Sequence, residues 1–164
     1  MAKIIKRTDI IAFLNTTPNT ESETWSLIGN KTSDLSYSYN PQKNTEQDVV
    51  SDNASTTVDG YQISMDGEMK CYYGDELYDF INKLRYDVAI GGDAETTILL
   101  IDKYITSGAS AIQAQKFNCT VSVNEYGGVG GETPTLSYSI DLNGNPTQGS
   151  ATFSGGKPTF TPSV

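Results

Sequence analysis

The chain has 164 residues, 37% hydrophobic and 19% charged, the balance of one soluble domain that buries roughly 70% of its extended surface on folding. Its net charge is −9 and it contains no histidine, which argues against a basic phosphate-holding groove and removes Ser-His-Asp and Cys-His catalysis and every His-bearing zinc site. No stretch reaches the roughly 18 apolar residues of a membrane span. The first residues also lack the apolar run of a signal peptide, so cytosolic folding with Cys71 and Cys119 reduced is expected.

In chain order, Ile4, Ile5, Ile10, Ile11, Phe13 and Leu14 make the opening an arm (about 1–20) or a first strand, broken at Thr16-Thr-Pro-Asn-Thr. Thr24 to Gly29 reads as a short strand, and Leu35, Tyr37 and Tyr39 alternate with polar residues until Pro41. From Pro41 to Asp59 no period is sustained and the stretch is acidic, so a long loop is predicted, either a surface excursion or an arm ordered against another copy. Tyr61, Ile63, Met65, Met69, Cys71 and Tyr73 share one parity. They predict a long strand, bent or bulged at Asp66-Gly67.

Gly74 to Tyr86 is the one clear helix. Leu77, Phe80, Ile81 and Leu84 form an i, i+3, i+4, i+7 stripe able to pack on a sheet, with acids at the N-terminal end and Lys83 and Arg85 near the other. Strands are predicted over 97–105, 112–123 and 136–142, with Asn143-Gly-Asn-Pro as a turn leading to a hairpin partner over 147–153. The last ten residues, about 155–164, read as an extended, exposed tail. The sum is a mainly β single domain of roughly seven to nine strands, a sandwich or barrel with one flanking helix.

Charge is distributed unevenly along the chain. Nine acids and one base, Lys70, lie between Glu46 and Asp79, whereas the remainder holds eleven acids and ten bases. The folded protein is therefore expected to carry an acidic side or projection. Asp66 and Glu68 fall on one strand face with Cα atoms about 6.5 Å apart, but no aromatic sugar platform accompanies them, so solvated acids are the simpler reading than a glycosidase pair. Gly127 to Gly131 lacks the helix and lysine of a phosphate loop and reads as a hairpin loop. Asp48, Asp52 and Asp59 lack the spacing of a calcium loop. No cofactor or metal is expected, and no enzymatic activity.

The order of features carries a resemblance: a tyrosine strand, a long acidic Thr-rich segment, Thr56-Thr-Val-Asp-Gly-Tyr61, Cys71-Tyr-Tyr-Gly-Asp75, the helix at Leu77-Tyr-Asp-Phe-Ile81, Val123-Asn-Glu-Tyr-Gly-Gly128 and Leu142-Asn-Gly-Asn-Pro-Thr-Gln-Gly149. Over roughly Tyr39 to Phe153 the chain resembles the tail tube, or major tail, proteins of long non-contractile phage tails. The resemblance implies a β-sandwich or barrel with a flanking helix, assembled into hexameric rings that stack into the channel for DNA ejection. It implies location in the virion, and as partners further copies of the chain, the tail tip or baseplate, the tape measure and the terminator proteins. DNA would pass without specific binding, past an acidic lumen to which Asp66 and Glu68 are the candidate contributors. The long segment, through Glu46, Asp48, Val49, Val50, Asp52 and Val58, would join subunits or rings. Two other readings fit the pattern less fully: the tube protein of a cellular contractile injection machine, and a carbohydrate-binding β-sandwich.

Overall fold

The computed structural model describes residues 1–32, 34–106, 108 and 110–164. Ten strands and one α-helix are found among them. In chain order the strands are β1 (Ile10–Asn15), β2 (Trp25–Ile28), β3 (Tyr37–Ser38), β4 (Pro41–Glu46), β5 (Ser55–Tyr61), β6 (Ser64–Lys70), β7 (Glu95–Thr106), β8 (Ile112–Gly127), β9 (Thr135–Ser154) and β10 (Lys157–Pro162); α1 (Glu76–Asp87) lies between β6 and β7. Among the described residues no helix is long and apolar enough to cross a membrane.

Eight strands form one sheet in the order β2-β1-β7-β8-β9-β6-β3, with β10 added beside β9. All described pairings are antiparallel. β9 organises the sheet: β8 pairs along its length, while its other edge takes β6 over Thr135–Asp141 and β10 over Gly149–Ser154. One face buries Leu14, Ile98, Leu100, Phe117, Val121, Leu136, Tyr138 and Ile140 under α1. The opposite face buries a smaller cluster, Phe13, Trp25, Leu99, Ile101, Ala114 and Ala151. Ile98 to Ile101 therefore reads as an unbroken apolar run because alternate residues enter different cores.

Helix α1 starts where Asp75 accepts a hydrogen bond from the Tyr78 amide at 3.1 Å, satisfying one of the donors that a helix start leaves free. It stops at Val88, whose φ of 48° puts a β-branched residue in the left-handed region, while the amides of Val88 and Ala89 bond back to the carbonyls of Arg85 and Leu84. The helix thus ends within a residue of the Tyr86 end expected from sequence.

Four expectations change. Residues 41–59 are no unstructured loop: β4 and β5 pair from Pro41↔Tyr61 to Glu46↔Ser55 as a separate two-stranded ribbon. The expected bend at Asp66-Gly67 is absent, since β6 keeps an unbroken register with β9. Gly67 has another cause, the Tyr138 ring: a Cβ there would lie 2.6 Å from its Cζ and Oη. Asn143-Gly-Asn-Pro does not reverse the chain. It is a register irregularity within β9, between the pairs Asn118↔Asn143 and Lys116↔Thr147, so 147–151 pairs with the first half of β8. The expected loose tail turns at Gly155-Gly156 and runs back along β9 as β10. Of the two readings of the opening, an arm over 1–20 or a first strand, the second holds over Ile10–Asn15, which lies between β2 and β7.

Candidate functional site

The chain has no histidine, and its two cysteines are free; Cys119 is buried, which pushes its thiol up to about 12. The acid-rich segment Glu46 to Asp79 does not form one acidic side. The fold divides it among three places: the ribbon, the open face of β6, and the start of α1.

The ribbon holds Glu46 at the end of β4 and Asp48, Val49, Val50 and Asp52 at its tip. A turn closed by the Ser51 amide on the Asp48 carbonyl (3.0 Å) shapes the tip, helped by the Gln47 side chain on the Ser51 carbonyl. Val49 and Val50 are 104% and 92% exposed. Val58 is not at the tip; it stands on the stem opposite Lys43, where Gln42↔Gly60 and Lys43↔Val58 leave Asp59 as a bulge. β4 is exposed throughout, as is β5 save at Gly60, and the two pack on each other and not substantially on any other element.

At its base the ribbon meets the main sheet in a corner. Tyr37↔Met65 and Ser38↔Ser64 are the last pairs of the sheet, and Pro41↔Tyr61 is the first of the ribbon. Between them Asn40, at φ 42°, points its amide at the Gln62 carbonyl (3.0 Å) and the Ser64 hydroxyl (3.3 Å), while its own carbonyl accepts from the Gln62 amide and the Gln42 side chain. Tyr39 and Tyr61 stack edge to face, with ring centres 6.2 Å apart.

The second surface is the outer face of β6, β9 and β8, on the side away from α1. Asp66 and Glu68 are exposed here, opposite Ser139 and Ser137 of β9. Ser139 donates to Asp66 Oδ1 and accepts from Asn124 Nδ2 at 2.8 Å. Register brings in three acids that sequence reasoning missed: Glu125 opposite Ser137, Asp141 opposite both Ser64 and Thr120, and Glu95 opposite Thr120 on β7. Along β9, Ser137, Ser139 and Asp141 alternate with buried Leu136, Tyr138 and Ile140, and pairing across the strands is what puts Glu95 and Glu125 on the same face. Further along, the same face becomes apolar at Leu99, Ile101, Ala114 and Ala151.

On the helix, Leu77 and Ile81 are buried, Phe80 and Leu84 pack partly buried against the larger core, and Tyr78 is a further buried member. Burial and a neighbouring Tyr126 push the Tyr78 phenol well above its ordinary value. At the helix start Glu76 pairs with Lys157 of β10 at 2.6 Å and accepts from the Ser26 hydroxyl; Lys157 also donates to the Trp25 carbonyl at 3.0 Å. Because the neighbouring Thr24 carbonyl is taken by Thr16, alternation turns the Trp25 carbonyl outward, so Lys157 covers the edge of β2. Those hydrogen bonds hold the Glu76 carboxyl below its usual value.

The cavity beside Tyr138 measures about 20 Å³, room for water only, and a groove of about 490 Å³ between the end of α1 and β8 places Arg85 4.1 Å above the Tyr126 ring.

No family model matches the sequence, and no curated protein matches it. Among solved structures the chain is similar to a subunit from the tail of an empty gene transfer agent particle with C6 symmetry. The TM-score is 0.63 at 10% identity, over 87% of this chain and 97% of that one. The likeness is one of fold: mainly β, with a single α-helix among the described residues.

Proposed function

We propose that the chain is a non-enzymatic structural subunit of a phage-like tail, which assembles with its own copies into stacked, hexameric rings of a tube through which DNA is ejected. The observation that carries this reading is the ribbon: an ordered acidic arm with exposed valines that, among the described residues, packs substantially on no other element, on a fold like that of a subunit from a C6-symmetric tail. A two-stranded hairpin is marginal alone in water. A second copy supplies what it lacks, and Glu46, Asp48, Val49, Val50 and Asp52 are the contacts, with Val58 on the stem.

The acidic face fits the same reading. Asp66 and Glu68, joined by Glu95, Glu125 and Asp141, line the lumen, where like charge repels phosphates and lets DNA slide without adhering. Its further partners are the tail tip or baseplate, the tape measure and the terminator, and its place is the non-contractile tail of the virion.

Electron microscopy and native mass measurement of the purified protein, alone and with tail partners, test this. Sixfold rings or tubes are expected, and deleting residues 44–57 should abolish stacking; a monomer that persists under all conditions would overturn the proposal.

A further inference from the structure

We propose that Asn40 is the positioning residue of the ribbon: its side chain fixes the angle at which β4 and β5 leave the sheet, and so where the tip meets the next copy. The role in assembly rests on the function proposed above; the corner itself does not.

Only the corner can set this angle, because the ribbon packs substantially on no other element. One side of the corner is anchored, since Ile63 packs against the larger core and its carbonyl accepts the Leu142 amide at 2.9 Å. Asn40 grips the chain on both sides of Ile63, through the Gln62 carbonyl and the Ser64 hydroxyl, with the Ser38 carbonyl at 3.5 Å on its own strand. The backbone there is left-handed, which Asn tolerates better than other non-glycine residues. The next residue, Pro41, has its φ fixed by its ring. Tyr39 against Tyr61 closes the corner, but both rings are largely exposed and nothing else fixes their angle.

Asn40→Asp keeps the shape and the tolerance of a positive φ yet removes both amide donors. Asn40→Gly keeps the backbone conformation and removes the side chain. The probe is a pair of spin labels on Val49→Cys and Lys83→Cys in a Cys71→Ser background, Cys119 being buried. Pulsed dipolar distances in the monomeric subunit should give one narrow peak with Asn40 and lose it in both variants, while the thermal midpoint barely moves. Tube formation by unlabelled Asn40→Asp and Asn40→Gly chains that keep Val49, Lys83 and Cys71 should fall with the peak. A broad distribution with Asn40 in place, or narrow ones in both variants, would overturn the corner assignment. Unchanged tubes despite a broadened ribbon would overturn its role in assembly. If the parent chain formed no tubes at all, the function proposed above would fail while the distances still decided the corner.

Discussion

Two antiparallel hairpins in this chain show what a strand pair needs in order to belong to a fold. β8 and β9, of 16 and 20 residues, bury side chains on both faces and carry neighbours on both outer edges. β4 and β5, of six and seven residues, have the same kind of ladder but no buried face. Net hydrogen-bond gains of about 1 kcal/mol are offset by the roughly 1–2 kcal/mol that ordering each residue costs. The first pair is stabilised by what it covers, whereas the ribbon adds almost nothing to the chain that carries it. The two should therefore separate cleanly under mutation, stability falling with one and assembly with the other.

The largest loss of stability is expected from Ile140→Ala on β9, fully buried in the larger core. The lost transfer energy and the cavity together should cost about 2–5 kcal/mol in a denaturant melt. Gly67→Ala comes next. Its new methyl would meet the Tyr138 ring, itself buried with its phenol raised to about 12, and overpacking of this kind costs about 1–3 kcal/mol. A neutral result would mean that the ring has room to shift. Asp75→Ala, which removes the cap of α1, should cost about 1 kcal/mol and appear as lost helical ellipticity.

This contrast also explains what could be read from sequence. Periodicity reports burial, so α1 and the strands of the larger core were legible from stripes such as Leu77, Ile81 and Leu136, Tyr138, Ile140. The ribbon buries nothing and left no period, though it is hydrogen-bonded from end to end. Asn143-Gly-Asn-Pro and Gly155-Gly156 are both strong turn signals, but only the second reverses the chain. Turn chemistry says where a chain bends easily; pairing with β8 decided that the first site would be a bulge. Gly67 answers to a tyrosine 71 positions away in sequence, and Glu95, Glu125 and Asp141 join the acidic face through register alone. Counting charges along the chain could not find them.

Lys157→Met probes the seam between β10 and β2, and its effect should be small. The Glu76 pair is half exposed, which limits it to below about 1 kcal/mol. Its pH dependence has a definite sign. The carboxyl of Glu76 is lowered in the folded chain, so its contribution is present above the unfolded value near 4.5 and is lost as pH falls through the lower folded value. The variant and the parent should converge in stability under acid and differ most near neutrality; a difference that grew on acidification would remove Glu76 as the partner that matters.

The smallest effect on stability is expected where the effect on assembly is greatest. Val49→Ser with Val50→Ser changes two side chains that touch little of their own subunit, so the melting curve should shift by no more than about 0.5 kcal/mol. The same change removes the apolar surface at the ribbon tip, and burial at about 25 cal/mol per Å² would make two valines decisive at the contact between copies proposed above. Sedimentation should then find a well-folded subunit that no longer stacks. If stacking survived, the exposed valines would be incidental and the acids of the tip would have to carry the contact, which predicts assembly that weakens steeply with salt.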